Sequence, residues 1–149
     1  MGLQEQVMDR MKTAMKAKDK VALESLRAIK SALLLAQTES GAGSGLTEEE
    51  EIKLVQKLVK QRKDSAAIFL EQGRNDLAEP ELAQISVIEQ FLPEQLSEAE
   101  IEKVVVQAIS TLGAEGMKDM GKVMGMVSST LAGKADGKTI SNIVKRKLL

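Results

Sequence analysis

The chain has 149 residues, 43% apolar and 29% charged, with a formal net charge of −1. It contains no Cys and no His, which excludes disulfides, Cys/His zinc sites, and Cys-His or Ser-His-Asp catalysis. Aromatic residues are limited to Phe69 and Phe91, so the core must be aliphatic, a composition that suits helices better than strands.

Leu3, Val7, Met11 and Met15 recur every four residues and predict one stripe of a first helix. Lys12, Lys16, Lys18 and Lys20 gather near its end, where cations complement the helix dipole. Asp19 is placed to cap a second helix with the stripe Ala22, Leu26, Ile29, Leu33 and Ala36. The stretch from Ser40 to Gly45 reads as a flexible connection. Thr47 through Glu50 then form a capping box, and the run of glutamates suits the positive end of a third helix. That helix passes through Ile52, Val55, Val59, Ala66 and Phe69 and stops near Gly73, a natural left-handed terminus.

Asp76 and Glu79 resemble a capping pair for a fourth helix, but Pro80 is comfortable only in a first turn. Either the helix starts nearer Pro80 or its beginning is irregular. Its apolar face is expected at Leu82, Ile85 and Ile88. Pro93 forces Leu92 into an extended conformation and marks the expected division, with residues 1–92 in one helical subdomain and 93–149 in another. Ser97 and Glu100 form a second capping box. A fifth helix follows through Ile101, Val104, Val105, Ala108 and Leu112 to Gly113. A sixth holds Met120, Val123, Met124, Val127 and Leu131, and a seventh holds Ile140, Ile143, Val144 and Leu148. The expected fold is all-α, about four helices followed by a bundle of about three.

Charge is unevenly spread. Residues 1–39 carry seven basic and five acidic groups, 40–100 carry six and thirteen, and 101–149 carry eight and four. The near-neutral total hides a basic end, whose lysines sit beside glycines and helix termini, an arrangement suited to phosphate contact. Without aromatic residues to stack on bases, a reader of backbone shape in structured RNA fits better than a single-strand binder. Scattered lysines are also ordinary on a solvated helix face.

The stretch from Gly133 to Thr139 has three residues between its glycines where a P-loop needs four, and a helix where a P-loop has a strand. The simpler reading ends the sixth helix at Gly133 and turns the chain at Asp136-Gly137 into the seventh, whose first amides can still meet a phosphate oxygen. Gly121 and Gly125 lie four apart inside a helix, at a cost that close approach of a neighbouring helix or of a ligand backbone would offset. Ser128 lies six residues from both Lys122 and Lys134, a spacing that forms no Ser-Lys pair on one helix. No catalytic residue, metal site or cofactor is expected. No apolar run reaches signal-peptide or membrane-span length, so a cytoplasmic location and no membrane partner are expected.

LESLRAIKSAL at 23–33, VQKLVKQRKDS at 55–65, GRNDLAE at 73–79, FLPEQLSEAEI at 91–101, and DMGKVMG with GKADGKTISNIVK inside 119–145 together resemble the YqeY-like family. That family is similar to the tail domain of GatB, a subunit of the tRNA-dependent amidotransferase. The resemblance implies two helical subdomains and a tRNA-associated accessory role, with tRNA or another structured RNA as partner. An amidotransferase or a tRNA-charging enzyme is implied as a possible protein partner. Carried onto this sequence, it makes Gly121, Lys122, Gly133, Lys134, Gly137 and Lys138 the preferred RNA contacts, with Lys145 joining them from the basic final helix. Two alternatives stay open: glutamine-dependent carbon–nitrogen ligase activity, or a helical protein–protein adaptor. Pro80 departs from the family pattern.

Overall fold

A computed structural model describes residues 2–40 and 45–149; residues 41–44 of the expected connection lie outside the described residues. Among the described residues the structure is all-α, with seven α-helices, two single-turn 3₁₀ helices and no strand. The chain divides into two compact units, Met1–Leu92 and Pro93–Leu149.

In the first unit, α1 (Leu3–Ala17) packs on α2 (Lys20–Ser40), which also meets α3 (Glu48–Glu71) and α4 (Asn75–Ile88); α3 and α4 pack against each other. Leu26, Ile29 and Leu33 of α2 are buried as their spacing predicts, against Val55 and Val59 of α3 and Ile85 and Ile88 of α4. The stripe of α1 is corrected at its end: Ala14 is buried and Met15 is 59% exposed. At about 100° per residue, a strict four-residue step drifts about 40° each time, and one three-residue step brings the stripe back to the core.

Thr47 forms the expected capping box, with Glu50 N–H donating to its hydroxyl at 3.1 Å and Glu50 Oε2 accepting from Thr47 N–H at 3.4 Å. Gly73, at φ +71, ends α3, and Arg74 N–H donates back to Phe69 O at 2.7 Å. Asp19 Oδ1 accepts from Ala22 N–H at 3.1 Å, the predicted cap of α2.

Helix α4 departs from expectation. It begins at Asn75, so Pro80 stands inside it, beyond the first turn. Asp76 is not its cap; its carboxylate accepts from Arg74 Nε at 3.1 Å and Nη2 at 3.0 Å. That guanidinium holds the Asp76 carboxyl below its ordinary range. Pro80 cannot donate to the Asp76 carbonyl, but both residues are exposed and water can take that carbonyl. The buried positions are Ala78, Ile85 and Ile88, while Leu82 is 45% exposed because the half-buried Glu81 holds the seam position. A 3₁₀ turn, Glu89–Phe91, follows, and Leu92 is extended (φ −92, ψ 158) as Pro93 requires.

In the second unit, α5 (Glu98–Leu112), α6 (Met120–Thr130) and α7 (Gly137–Leu148) each pack against the other two. Val105, Val123, Val127 and Val144 are fully buried at its centre. Ser97 caps α5 with the predicted box, Glu100 N–H donating to its hydroxyl at 3.2 Å. Leu112, expected on the core stripe, is 43% exposed; Ile109 and Ala114 pack there instead. A second 3₁₀ turn, Met117–Asp119, leads into α6.

Candidate nucleic-acid interface

Helix α6 ends at Thr130, three residues earlier than expected; Leu131 follows at φ −103, ψ 22, outside the helix, and is buried in the core. Gly133 lies in the turn that follows, at φ +78, a left-handed conformation that glycine takes without strain. It is buried, and its carbonyl accepts from Gln95 Nε2 at 2.7 Å. Next to it, the Lys134 carbonyl accepts from Leu96 N–H at 2.9 Å, and Lys134 N–H donates to Leu131 O at 2.8 Å. Gly133 therefore positions Lys134, whose backbone is held at both polar groups and whose side chain is exposed.

Asp136 caps α7, its Oδ1 accepting from Thr139 N–H at 2.7 Å. The carboxylate occupies the site where the helix start was expected to receive a phosphate, so Lys138, in the first turn of α7, is left as the anion-attracting group there. Ile140, Ile143, Val144 and Leu148 face the core. Lys138 and Lys145, seven residues apart, share an exposed face.

Gly121 and Gly125 are both exposed, and a Cβ built on either meets nothing within 4 Å. No helix of the second unit packs closely on them, so the expectation of close helix packing is not met. Ser128 and Ser129 are exposed on the same side, so the outer face of α6 carries small groups flanked by Lys122.

The basic groups sort into two sets. Lys147 Nζ lies 2.6 Å from Glu102 Oε1, and Arg146 Nη2 lies 3.7 Å from Glu102 Oε2. Lys118 Nζ lies 3.8 Å from Glu115 Oε2. Lys122, Lys134, Lys138 and Lys145 form no ion pair among the described residues, and neither does Lys103 on α5. Of the acidic groups, Glu100 closes a capping box, Glu102 and Glu115 are in ion pairs, Asp119 accepts from Glu115 N–H, and Asp136 caps α7. The four lysines singled out in the sequence, with Lys103, are those whose side chains form no ion pair among the described residues. The structural use of Arg146 and Lys147 was not visible in the sequence, because their partner lies on another helix.

The YqeY family, described as Yqey-like protein, matches residues 4–148. The chain belongs to this family. The YqeY-like chain is 34% identical over 128 residues to altered inheritance of mitochondria protein 41, mitochondrial, of Pyrenophora tritici-repentis, covering 84% of this chain and 68% of that protein. Over 73 residues it is 41% identical to a subunit of glutamyl-tRNA(Gln) amidotransferase from Thermococcus gammatolerans, covering 46% of this chain but 12% of that relative. The corresponding protein of Thermococcus sibiricus is 32% identical over 104 residues, 67% of this chain and 16% of that relative. This YqeY-like sequence thus corresponds to a small part of those amidotransferase subunits. Among its described residues no helix is long and apolar enough to cross a membrane.

Proposed function

We propose that the chain is a tRNA-associated accessory module whose second unit binds structured RNA, tRNA foremost, through contacts to the phosphate backbone. Lys122, Lys134, Lys138 and Lys145 supply the charge, and the bare α6 face around Gly121 lets a sugar–phosphate strand come close. Gly133 shapes the turn that presents Lys134, and Gly137 opens α7 one residue before Lys138. The observation that carries this reading is the sorting of charge. The acidic groups of the bundle are largely engaged in caps and ion pairs, and these lysines form no ion pair among the described residues. Kinship with part of an enzyme named for glutamyl-tRNA(Gln) supports tRNA as the RNA. The module is proposed to act in the cytosol; a tagged protein recovered in mitochondria would move it, in keeping with the name of its fungal relative.

The test is titration of the protein with total tRNA and with a DNA duplex of similar charge at several salt concentrations. With three to five phosphate contacts made by the second unit, those contacts should contribute roughly 2 to 4 to the slope of log K against log salt. Tight, salt-dependent binding that prefers tRNA supports the module. Equal weak binding to both makes the lysines ordinary surface.

A second reading is a docking module for an amidotransferase, favoured by the match to a small part of a much longer protein. Retention on a purified amidotransferase after ribonuclease treatment supports it; release under ribonuclease counts against it.

A further inference from the structure

In the first unit, α1 ends in a turn that holds a lysine in an unusual backbone conformation. Lys18 lies at φ 55, ψ 36, the one non-glycine residue with positive φ among the described residues. Its N–H donates to Met15 O at 3.2 Å, and Asp19 N–H donates to Ala14 O at 3.0 Å, which closes the helix in the way a glycine normally does. An L-residue is strained there, and the exposed Lys18 side chain makes no hydrogen bond or ion pair among the described residues. Strain held at one residue points to a use for that residue.

Lys18 stands among Lys12, Lys16 and Lys20, all exposed and none in an ion pair among the described residues. Lys12 and Lys16, four apart, share the α1 face opposite Leu3 and Val7. Arg27, seven residues beyond Lys20, extends the charge along the exposed side of α2. The acids closest in sequence are turned elsewhere: Asp19 accepts from Ala22 N–H, and Glu24 Oε2 accepts from Gln84 Nε2 at 3.4 Å. Asp9 stands one turn before Lys12 and makes no ion pair with it.

We propose that the α1–α2 turn, with Lys12, Lys16, Lys18 and Lys20, is a second phosphate-binding surface for the structured RNA that the C-terminal helices bind. This rests on the RNA-binding reading above. Flexible lysine stems around one rigid turn suit point-charge contact with successive phosphates. An anionic membrane is the lesser fit, since among the described residues only Met15 and Val21 of the larger apolar side chains within three residues of Lys18 are exposed, too few for a membrane-inserting face.

The test compares the full-length protein with two variants, by titration with total tRNA across a salt series and by thermal melting. One variant carries Lys16→Gln, Lys18→Gly and Lys20→Gln; the other carries Lys134→Ala and Lys138→Ala. The turn variant should lower the salt slope by roughly 2 to 3, at about 0.7 to 0.9 for each phosphate no longer neutralised. Lys18→Gly alone should lower it by about one while leaving Tm unchanged or raised, because glycine relieves the turn. An unchanged slope in the turn variant, with a lowered slope in the Lys134/Lys138 variant, overturns this inference and leaves the proposed function standing. Absence of tRNA binding by the unaltered protein overturns both. Binding of phosphatidylserine vesicles in preference to tRNA, abolished in the turn variant, also overturns it and reassigns the turn to a membrane.

Discussion

Glu102, in the first turns of α5, sits 2.6 Å from Lys147 at the end of α7 and ties the last helix of the bundle to its first. The Lys147 hydrogen bond and charge, with Arg146 adding its own, hold the Glu102 carboxyl below its ordinary value of 4.5. Because the folded pKa is lowered, the pair's contribution is present above the unfolded value and is lost as pH falls through the folded one. Glu102→Gln should therefore lower the melting temperature slightly at about pH 7, and the difference from the unaltered protein should fade as pH falls through the folded pKa, flattening the acid limb. The pair is exposed, so the effect should shrink in high salt. Melting curves across pH, at low and high salt, check this.

Gly125 sits inside α6 with open space where a Cβ would stand. Gly125→Ala should stabilise the second unit by about 0.8 to 1 kcal/mol, read from denaturant unfolding. Gly121→Ala should weaken tRNA binding if the bare face meets the sugar–phosphate backbone. A stabilised Gly125→Ala protein would show that the fold itself does not require glycine there.

Lys134→Ala with Lys138→Ala should lower the salt slope of tRNA binding by roughly 1.5 to 2 without loss of helical circular dichroism, since neither side chain makes an ion pair among the described residues. Unchanged binding would remove both residues from the interface.

Pro80→Ala should stabilise the first unit. It restores a donor for the Asp76 carbonyl and relieves a helix-interior proline worth about 3 kcal/mol, offset by about 0.4 to 1 kcal/mol of regained chain entropy in the unfolded state. A net gain of about 2 kcal/mol is expected, again from denaturant unfolding. A loss of stability would mean that α4 depends on the proline.

Local chemistry was legible in the sequence. The capping boxes at Thr47 and Ser97, the left-handed end at Gly73 and the helix stop at Gly113 need only residues within a turn of one another. Helix faces were legible at their centres and less so at their ends: Met15, Leu82 and Leu112 each fit a stripe by spacing, yet Ala14, Glu81 and Ile109 take the inner positions. The start of α4 was missed because proline in a first turn is the commoner arrangement, and an exposed carbonyl tolerates the exception. In the candidate interface, residue types and positions were readable. Which lysines are already engaged was not, since Glu102 and Lys147 meet only through the bundle. The orientation of Gly121 and Gly125 likewise depends on where the neighbouring helices lie.

The beginning of α1 has a consequence for the order in which the chain can fold. Gly2 has no side chain to cap the helix, and the buried Leu3 instead donates its N–H to Glu51 Oε2 of α3, at 3.3 Å. The cap is supplied from 48 residues further along. On a ribosome adding about 5 to 20 residues each second, α1 waits seconds after its own synthesis for the group that completes its first turn. Its opening amides should thus gain protection from hydrogen exchange during synthesis only after α3 has been made.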